Sequence, residues 1–275
     1  MTISFRWTKT DAFAFPGNSP NDHSFSFTSP PPYYHWHVST ALVLSAGGMF
    51  GAWEVGVWKA LCNRFQPDCI VGASAGAWNG WLIASGCGAD ELAASWLNPS
   101  NAPVMAHARG LRDKARELFA RFHPRIPFGL AVTEVPRLRQ RLVRDSEISW
   151  QHLAATSSIP LFFPPVRIGG ARYVDGGLLG ALPLWAAREM GATRAIAVNA
   201  LGGAASPGIR ALGALRFLGR PLAKPFPKDL EILRINPSEP LGSLRDAVRW
   251  SPANILRWIA QGERDANRAA TSITM

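Results

Sequence analysis

Between residues 41 and 85 the chain passes twice from a short apolar run through a glycine-rich turn into a helix-like run. The first unit reads ALVLS, AGGMFG and AWEVGVWKALC; the second reads CIVG, a turn around Ser74, and WNGWLIAS. Short apolar runs bounded by turn residues are typical of buried strands, and strands that alternate with helices form parallel sheets. The doubled unit therefore predicts an α/β fold, with helices on the faces of a mainly parallel sheet.

Later segments continue this alternation. We predict strands at residues 129–135, 171–177, 194–200 and 230–236, and a helix at 182–191 that Gly191 closes. Residues 1–38 differ, because they are rich in Ser, Pro and aromatic residues and have no helical period. Such a composition is typical of an extended, partly ordered segment. The sequence thus predicts an N-terminal arm at 1–38 and a single domain at 39–275.

The last predicted helix begins near Ser251 and Pro252, which are typical of a helix N-cap and first turn. One face of this helix is apolar; it carries Ile255, Trp258, Ile259 and Gly262. An apolar stripe of this kind faces a protein core. We therefore expect the helix to dock on the domain, with a membrane-lying helix as the alternative.

Composition indicates a globular protein, since 47% of the residues are hydrophobic and 17% are charged. No apolar run reaches the roughly 18 residues of a membrane span, and the first twenty residues lack the apolar region of a secretory signal. The three cysteines are odd in number and fit no metal-site spacing, so they favour reduced core residues. We expect a cytoplasmic protein, peripheral to a membrane at most, without metal or cofactor.

The formal net charge of +10 constrains the partners. The basic residues are dispersed and accompany no nucleic-acid-binding motif, so contact with an anionic membrane surface is favoured over nucleic acid. Two segments, 109–144 and 201–228, carry most of the positive charge. Solvated helix faces and loops are the simplest interpretation of both. The second also mixes Gly, Pro and apolar residues, which would suit a flap resting on lipid.

A candidate nucleophile occupies the second glycine turn, Gly72-Ala73-Ser74-Ala75-Gly76. A G-x-S-x-G turn between strand and helix exposes the serine hydroxyl at the end of a sheet. A serine needs a base, which is usually a histidine held by a carboxylate. Asp90 or Asp113 with His123 or His152 would keep the chain order of an α/β-hydrolase triad. None of these histidines, however, lies in a glycine-framed turn at a strand end.

Asp175 is a second candidate base, because it ends a strand-like run and precedes Gly176-Gly177. A carboxylate at the C-terminal end of a strand can face the active site of an open α/β sheet, although Asp-Gly is also an ordinary turn pair. The first glycine turn, at residues 45–51, would leave backbone N–H groups free at a helix N-terminus. Such groups could bind phosphate or form an oxyanion hole.

Three features together resemble the patatin-like phospholipase family over about residues 40–270: the loop at 46–51, the serine turn at 72–76, and Asp175-Gly176-Gly177, preceded by AATSSIPLFFPPV. The resemblance implies a three-layer α/β/α fold and a metal-free hydrolase of lipid acyl esters that uses a Ser–Asp dyad. Carried over by position, Ser74 is the nucleophile and Asp175 the general base. The oxyanion hole would be formed by backbone N–H groups of Gly47, Gly48, Met49 and Ala75.

The chain departs from the family's usual Gly-Gly-Gly-x-Arg/Lys-Gly loop at two positions. Ala46 replaces the first glycine, and Phe50 replaces the basic residue, which would remove a cation near the oxyanion hole. The asparagine often found after Asp-Gly-Gly is also missing. Acyl transfer or simple ester hydrolysis on the same dyad, and a non-catalytic lipid-binding protein, are the alternatives. The sequence does not determine the acyl-chain preference, the regiochemistry or the oligomeric state.

Overall fold

A computed structural model describes residues 39–104, 106–202 and 223–271. The predicted N-terminal arm, and residues 203–222 of the second basic segment, lie outside the described residues. Within the described ranges, no helix is long and apolar enough to cross a membrane.

Eight strands form one mixed sheet. They are β1 (Thr40–Leu44), β2 (Cys69–Ala73), β3 (Phe128–Val135), β4 (Arg139–Arg144), β5 (Val166–Ile168), β6 (Ala171–Val174), β7 (Arg194–Val198) and β8 (Glu231–Ile235). The α-helices of the described residues are α1 (Gly51–Leu61), α2 (Ala75–Ala84), α3 (Ala89–Leu97), α4 (Ala108–Arg121), α5 (Trp150–Thr156), α6 (Leu184–Glu189), α7 (Leu244–Val248) and α8 (Pro252–Thr271). Short 3₁₀ turns lie at Gly48–Phe50, Pro99–Asn101 and Asp145–Glu147.

The centre of the sheet is parallel, in the order β3-β2-β1-β7-β8. On the other edge of β3, β4 pairs antiparallel with it. The strand β6 also pairs antiparallel with β3, and β5 extends the sheet beyond β6. The glycine turns after β1 and β2 lie at the C-terminal edge of the parallel strands. That edge is where open α/β sheets bind their ligands.

The strand residues alternate between two apolar layers. In β1, Leu42 and Leu44 belong to the core beneath α1, α2 and α8, whereas Ala41 and Val43 belong to the core beneath α6. Alternate side chains of a strand point to opposite faces of its sheet, so both faces are covered. The predicted three-layer α/β/α arrangement with a mainly parallel sheet is confirmed.

The C-terminal helix α8 docks on α1, as predicted from its apolar stripe. Ile255 and Trp258 are completely buried. The two helices cross at a pair of glycines: a Cβ added at Gly56 would lie 1.9 Å from the carbonyl oxygen of Ile259, and one at Gly262 would lie 2.1 Å from that of Trp53. Only residues without a side chain permit this approach, which fixes the helix that follows the first glycine turn.

The predicted strands all form, but β4 and the short strand β5 were missed. Outside the predicted strand at 129–135, the sequence favoured solvated helix faces and loops for the basic segment 109–144, and that interpretation is wrong for Arg139–Arg144. In β4, exposed arginines alternate with Gln140 and Val143, which are buried against the sheet. The helical part of the segment is confirmed as α4. Of the cysteines, Cys69 and Cys87 are buried as expected, whereas Cys62 is half-buried.

Candidate active site

Ser74 lies in a sharp turn between β2 and α2, with φ +54° and ψ −127°. Residues other than glycine rarely adopt a positive φ, and such backbone strain is characteristic of functional positions. The neighbouring glycines are required by space. A Cβ at Gly72 would lie 2.4 Å from the carbonyl oxygen of Gly76, and a Cβ at Gly76 would lie 2.4 Å from that of Ser45. The turn can therefore hold a side chain at Ser74 only because its neighbours have little or none.

The glycine loop after β1 forms a 3₁₀ turn beside Ser74. Gly48 has φ +56°, and a Cβ there would lie 2.3 Å from the carbonyl oxygen of Ala247 in α7. Among the described residues, the backbone N–H groups of Gly47, Gly48 and Met49 have no hydrogen-bond acceptor, and neither has that of Ala75 at the start of α2. These are the four groups that the sequence predicted for the oxyanion hole. Helix starts leave such N–H groups available to a ligand.

The sheet register brings Asp175 to Ser74. In β2, Ala73 pairs with Ala131, so Ser74 follows at the level of Val132. In β6, Val174 pairs with Thr133 along the same edge of β3 but in the opposite direction, so Asp175 arrives at the level of Val132 as well. Two strands thus run toward each other along one edge of β3, and the predicted nucleophile and base follow their ends.

Thr156, at the end of α5, ties these two strand ends together. Its hydroxyl accepts a hydrogen bond from the N–H of Ser74 at 3.0 Å and donates one to the carbonyl of Ala131 at 2.7 Å. Its carbonyl accepts from the N–H of Gly176 at 3.1 Å. The Asp175 carboxylate is buried, and Oδ1 accepts from the N–H of Gly177 at 2.7 Å. This bond holds the carboxylate in a fixed orientation next to the serine turn.

A buried network beneath the site was not foreseen. Glu54 in α1 is 1% exposed; its Oε1 accepts from the N–H and hydroxyl of Ser45, and its Oε2 accepts from the side-chain amide of Asn79 in α2. The Ser45 hydroxyl accepts from the N–H of Ala200, and Trp96 donates to Asn79. Burial raises the pKa of Glu54 to about 8, against the opposing effect of the hydrogen bonds from Asn79 and Ser45. The network joins the two glycine turns from below.

An apolar pocket opens over Ser74. Its volume, including the part that is open to solvent, is about 710 Å³. Its walls come mainly from α2, α3 and α4, and include Trp78, Leu82, Leu92, Trp96, Val104, Leu111 and Leu118. Gly48, Met49 and Ala75 also line it, so the unpaired N–H groups and the apolar walls belong to one cavity. Since α2 rises about 1.5 Å per residue, the wall from Ser74 to Leu82 is about 12 Å long. The cavity suits an elongated apolar group whose end lies at Ser74.

The model of the family described as "Patatin-like phospholipase" matches residues 42–188, which is more than half of the chain. The chain belongs to the patatin-like phospholipase family. The match spans the glycine loop, the serine turn and Asp175.

Among its relatives, patatin-like phospholipase domain-containing protein 7 of Rattus norvegicus is 27% identical over 180 residues, which are 58% of this chain and 13% of that protein. Lysophospholipase NTE1 of Mycosarcoma maydis is 29% identical over 182 residues, which are 59% of this chain and 10% of that protein. The match thus spans only 13% and 10% of the length of these two relatives. VipD from Legionella pneumophila has a similar fold, with a TM-score of 0.53 and 14% identity over 86% of this chain and 67% of that one.

The histidines that the sequence offered as alternative bases have other places in this patatin-like fold. His152 caps the first turn of α5 together with Ser149, and burial lowers its pKa. His107 caps α4 by accepting from the N–H of Gly110, and His123 is exposed. The candidate partner Asp113 pairs with Arg116, and Asp90 pairs with Lys59. The remaining histidines lie in the arm, outside the described residues.

The two departures from the patatin-like loop are accommodated in different ways. Ala46 does not have a positive φ, and its methyl group occupies the space that a side chain at Gly177 would need. Phe50 points away from the cavity into the core. It is completely buried, and its ring meets that of Trp258 edge to face at 5.2 Å. At the position where the family usually has a basic residue, this chain therefore has a phenylalanine that makes a core contact.

Proposed function

We propose that the protein is a serine hydrolase of lipid acyl esters. The Ser74 oxygen attacks the ester carbonyl while the Asp175 carboxylate takes the hydroxyl proton. The tetrahedral intermediate then collapses, the C–O bond to the alcohol breaks, and the proton passes to the departing alcohol. Water, deprotonated by Asp175, attacks the acyl-enzyme, and the fatty acid leaves as Ser74 regains its proton.

One observation carries this proposal: the register along β3 leads Ser74, in its strained turn, and Asp175 to the same level of the sheet. Asp175 accepts from the N–H of Gly177, and Thr156 bridges the two strand ends. A base must lie within hydrogen-bond reach of the proton that it removes, and the shared level on β3 supports Asp175 as that base, without a histidine.

We assign the oxyanion hole to the N–H groups of Gly47, Gly48, Met49 and Ala75. They have no acceptor among the described residues, and Gly48, Met49 and Ala75 line the same cavity as Ser74. Amides fixed before the reaction stabilise the charge that develops on the carbonyl oxygen, and loss of one such donor typically costs about 10²–10³ in rate.

We assign the apolar cavity to the acyl chain of the substrate and infer that the protein works at a membrane surface. Apolar side chains of α2, Trp78 and Leu82, line the cavity over about 12 Å from Ser74, which favours a fatty acyl chain over a small acyl group. A relative bears the name lysophospholipase, which supports a lipid ester as the substrate. The positive charge of the chain favours an anionic surface.

Labelling and mutation test the proposal together. We expect a fluorophosphonate probe to label the wild-type chain at Ser74, and Ser74→Ala and Asp175→Asn each to lower hydrolysis of p-nitrophenyl butyrate by at least about 10³-fold, with the circular dichroism spectrum unchanged. The double variant should be little worse than either single variant, because the two groups act as one unit.

Histidine variants provide the controls. His107→Ala and His123→Ala should retain most of the activity, since neither residue lies at Ser74. His152→Ala should lose stability more than activity, because His152 caps α5. Loss of turnover in folded His152→Ala equal to that of Asp175→Asn would overturn the dyad. Release of free fatty acid from a lipid panel, with and without an acceptor alcohol, would separate hydrolysis from acyl transfer.

A further inference from the structure

An apolar turn protrudes from the protein beside the cavity that holds Ser74. It follows α5 and consists of Pro160, Leu161 and Phe162; Pro164 and Pro165 beyond it are also exposed. Leu161 is 104% exposed and Phe162 is 58% exposed. Contiguous exposed apolar side chains of this size are uncommon on a soluble surface and mark an interaction site.

The backbone of this turn holds Leu161 outward. Leu161 has φ +75°, in a region that residues with a side chain seldom adopt. The N–H groups of Phe162 and Phe163 both donate to the carbonyl of Ile159, at 3.1 and 2.9 Å, and so close the turn. The neighbouring Phe163 is buried, as the anchor of the turn. Strain that presents a leucine to water needs a compensating partner.

The turn rests on the first turns of α4, which carry unpaired positive charge. Phe163 packs with Leu111 of α4, and Ile159 lies against the same cluster. On either side of Leu111, Arg109 and Arg112 are exposed, and neither has a carboxylate within ion-pair distance among the described residues. The bases further along α4 are paired. A cation in the first turn of a helix is disfavoured by the helix dipole, so Arg109 does not stabilise α4. Arg109 and the unpaired Arg112 one turn further along are therefore suited to an anionic partner.

The same turn borders the entrance of the cavity. Ile159 and Leu111 both line the cavity and also belong to the support of the turn. A group that enters the cavity from the side of the turn therefore passes between the apolar tip and the basic start of α4. Apolar residues that penetrate a leaflet, flanked by bases at the headgroup level, are the pattern of interfacial binding.

We propose that Leu161 and Phe162 insert into the acyl region of an anionic bilayer while Arg109 and Arg112 contact its headgroups. Docking of this turn on the bilayer would place the cavity entrance against the lipid. The inference therefore rests on the proposed function, in which the cavity takes a lipid acyl chain. The sequence had instead offered the segment 201–228 as a lipid contact, and that expectation stays a prediction. The arginines of that segment lie outside the described residues, and Lys224 pairs with Glu189 and stacks on Trp185.

Vesicle binding tests the surface independently of catalysis. In a Ser74→Ala background, which leaves the lipid intact, we expect sedimentation with phosphatidylglycerol vesicles that weakens with salt and is much lower with phosphatidylcholine vesicles. Leu161→Ser/Phe162→Ser should weaken binding by at least about tenfold. Arg109→Glu/Arg112→Glu should weaken it by about tenfold or more, and high salt should remove the difference.

Matched controls lie on α8, which packs against α1. Leu256→Ser removes another exposed leucine, and Arg264→Glu reverses an exposed base there; both variants should bind vesicles like the parent. With Ser74 restored, Leu161→Ser/Phe162→Ser should hydrolyse p-nitrophenyl butyrate at the wild-type rate but phosphatidylglycerol in vesicles more slowly. Failure of the proposed function would instead appear as absence of ester hydrolysis in the wild-type chain.

A polarity-sensitive dye gives a direct measurement. Leu161→Cys, labelled in a chain that carries Cys62→Ser, should show a blue shift in dye emission when phosphatidylglycerol vesicles are added. Unchanged emission, or vesicle binding that Leu161→Ser/Phe162→Ser does not weaken, would overturn the proposal. A change in oligomeric state by light scattering, without loss of vesicle binding, would assign the turn to a second copy of the chain instead.

Discussion

The two strand–turn–helix units use one backbone geometry for two purposes. Each turn contains a residue with φ near +55°, Gly48 after β1 and Ser74 after β2. At Gly48 the carbonyl oxygen of Ala247 occupies the space of a side chain, whereas at Ser74 the cavity leaves that space open. The first turn therefore offers only backbone N–H groups, and the second adds a hydroxyl. Crowding from neighbouring elements, rather than the turn itself, decides which chemistry each unit supplies.

The largest effect should come from a side chain at the crowded turn. Gly48→Ala places a Cβ 2.3 Å from a backbone carbonyl, at a positive φ, so the loop or α7 must move. We expect a loss of unfolding free energy of about 4 kcal/mol or more, measured by urea denaturation. Gly47→Ala is the control, because its φ is −170° and the nearest atom to its Cβ would be the Ala200 methyl group, at 3.2 Å. Equal losses at both positions would contradict the role of crowding.

A charge in the core behind the first turn should be nearly as damaging. The guanidinium of Phe50→Arg would have to replace a ring that packs fully buried on Trp258. We expect Phe50→Arg to lower the unfolding free energy by about 3 kcal/mol, and Phe50→Leu by about 1–2 kcal/mol. If Phe50→Arg is stable and raises activity on anionic lipids, the residue faces the oxyanion hole after all.

The network that joins the two units should make stability depend on pH. The pKa of Glu54 is about 8 in the folded chain and 4.5 is its ordinary value, so between these values the folded chain holds a proton that the unfolded chain has lost. Its contribution to stability is complete below about pH 4.5 and is lost as the pH rises through 8, with a slope of up to about 1.4 kcal/mol per pH unit.

Glu54→Gln isolates this dependence, since the amide does not titrate. Its oxygen can accept from Ser45, but its NH₂ group would face the amide donor of Asn79, so some stability is lost at low pH. Between pH 5 and pH 8 the stability of Glu54→Gln should fall less steeply than that of the wild-type chain, by urea titration at each pH. Parallel profiles would show that Glu54 does not titrate in this range.

The same comparison explains how much the sequence could predict. Both glycine turns were predictable, because glycine spacing and short apolar runs act locally, whereas the four N–H groups were assigned with the help of the family resemblance. Asp175 could be assigned only through the family resemblance, since its approach to Ser74 depends on the antiparallel register of β6 on β3, a pairing of distant segments. The strand β4 was missed because its exposed arginines resemble a basic surface segment.

The direction of a side chain was least predictable. Glu54 has the sequence signature of an acidic residue in the first turn of a helix, where carboxylates are ordinarily exposed. Phe50 replaces a cation in an otherwise familiar loop. Both are buried because α8 and α2 pack over α1, through contacts with residues far away in the chain such as Trp258 and Asn79.

The smallest effect on stability should come from Ser157, a buried residue near the second turn. Ser157 follows Thr156, lines the cavity, and is 8% exposed, yet its Oγ has no hydrogen-bond partner among the described residues. Around the glycine turns, by contrast, Ser45, Glu54 and Asn79 satisfy one another. Because no protein hydrogen bond is lost, Ser157→Ala should change the unfolding free energy by less than about 1 kcal/mol.

Burial of the Ser157 hydroxyl costs free energy, because the hydroxyl loses water and gains no protein partner. We expect it to form a hydrogen bond with a polar group of the substrate near the ester. Ser157→Ala should therefore raise KM for a lysophospholipid by about three- to tenfold, the scale of one neutral hydrogen bond, while kcat changes little. Hydrolysis of p-nitrophenyl butyrate, which has no hydroxyl beside its ester, should be unaffected. Ser158→Ala is the matched control, since its hydroxyl is already bonded to the carbonyl of Ala154 at 2.9 Å. If Ser157→Ala lowers kcat for both esters equally, Ser157 supports the serine turn rather than the substrate, and the contrast between a satisfied and an unsatisfied side of the site fails.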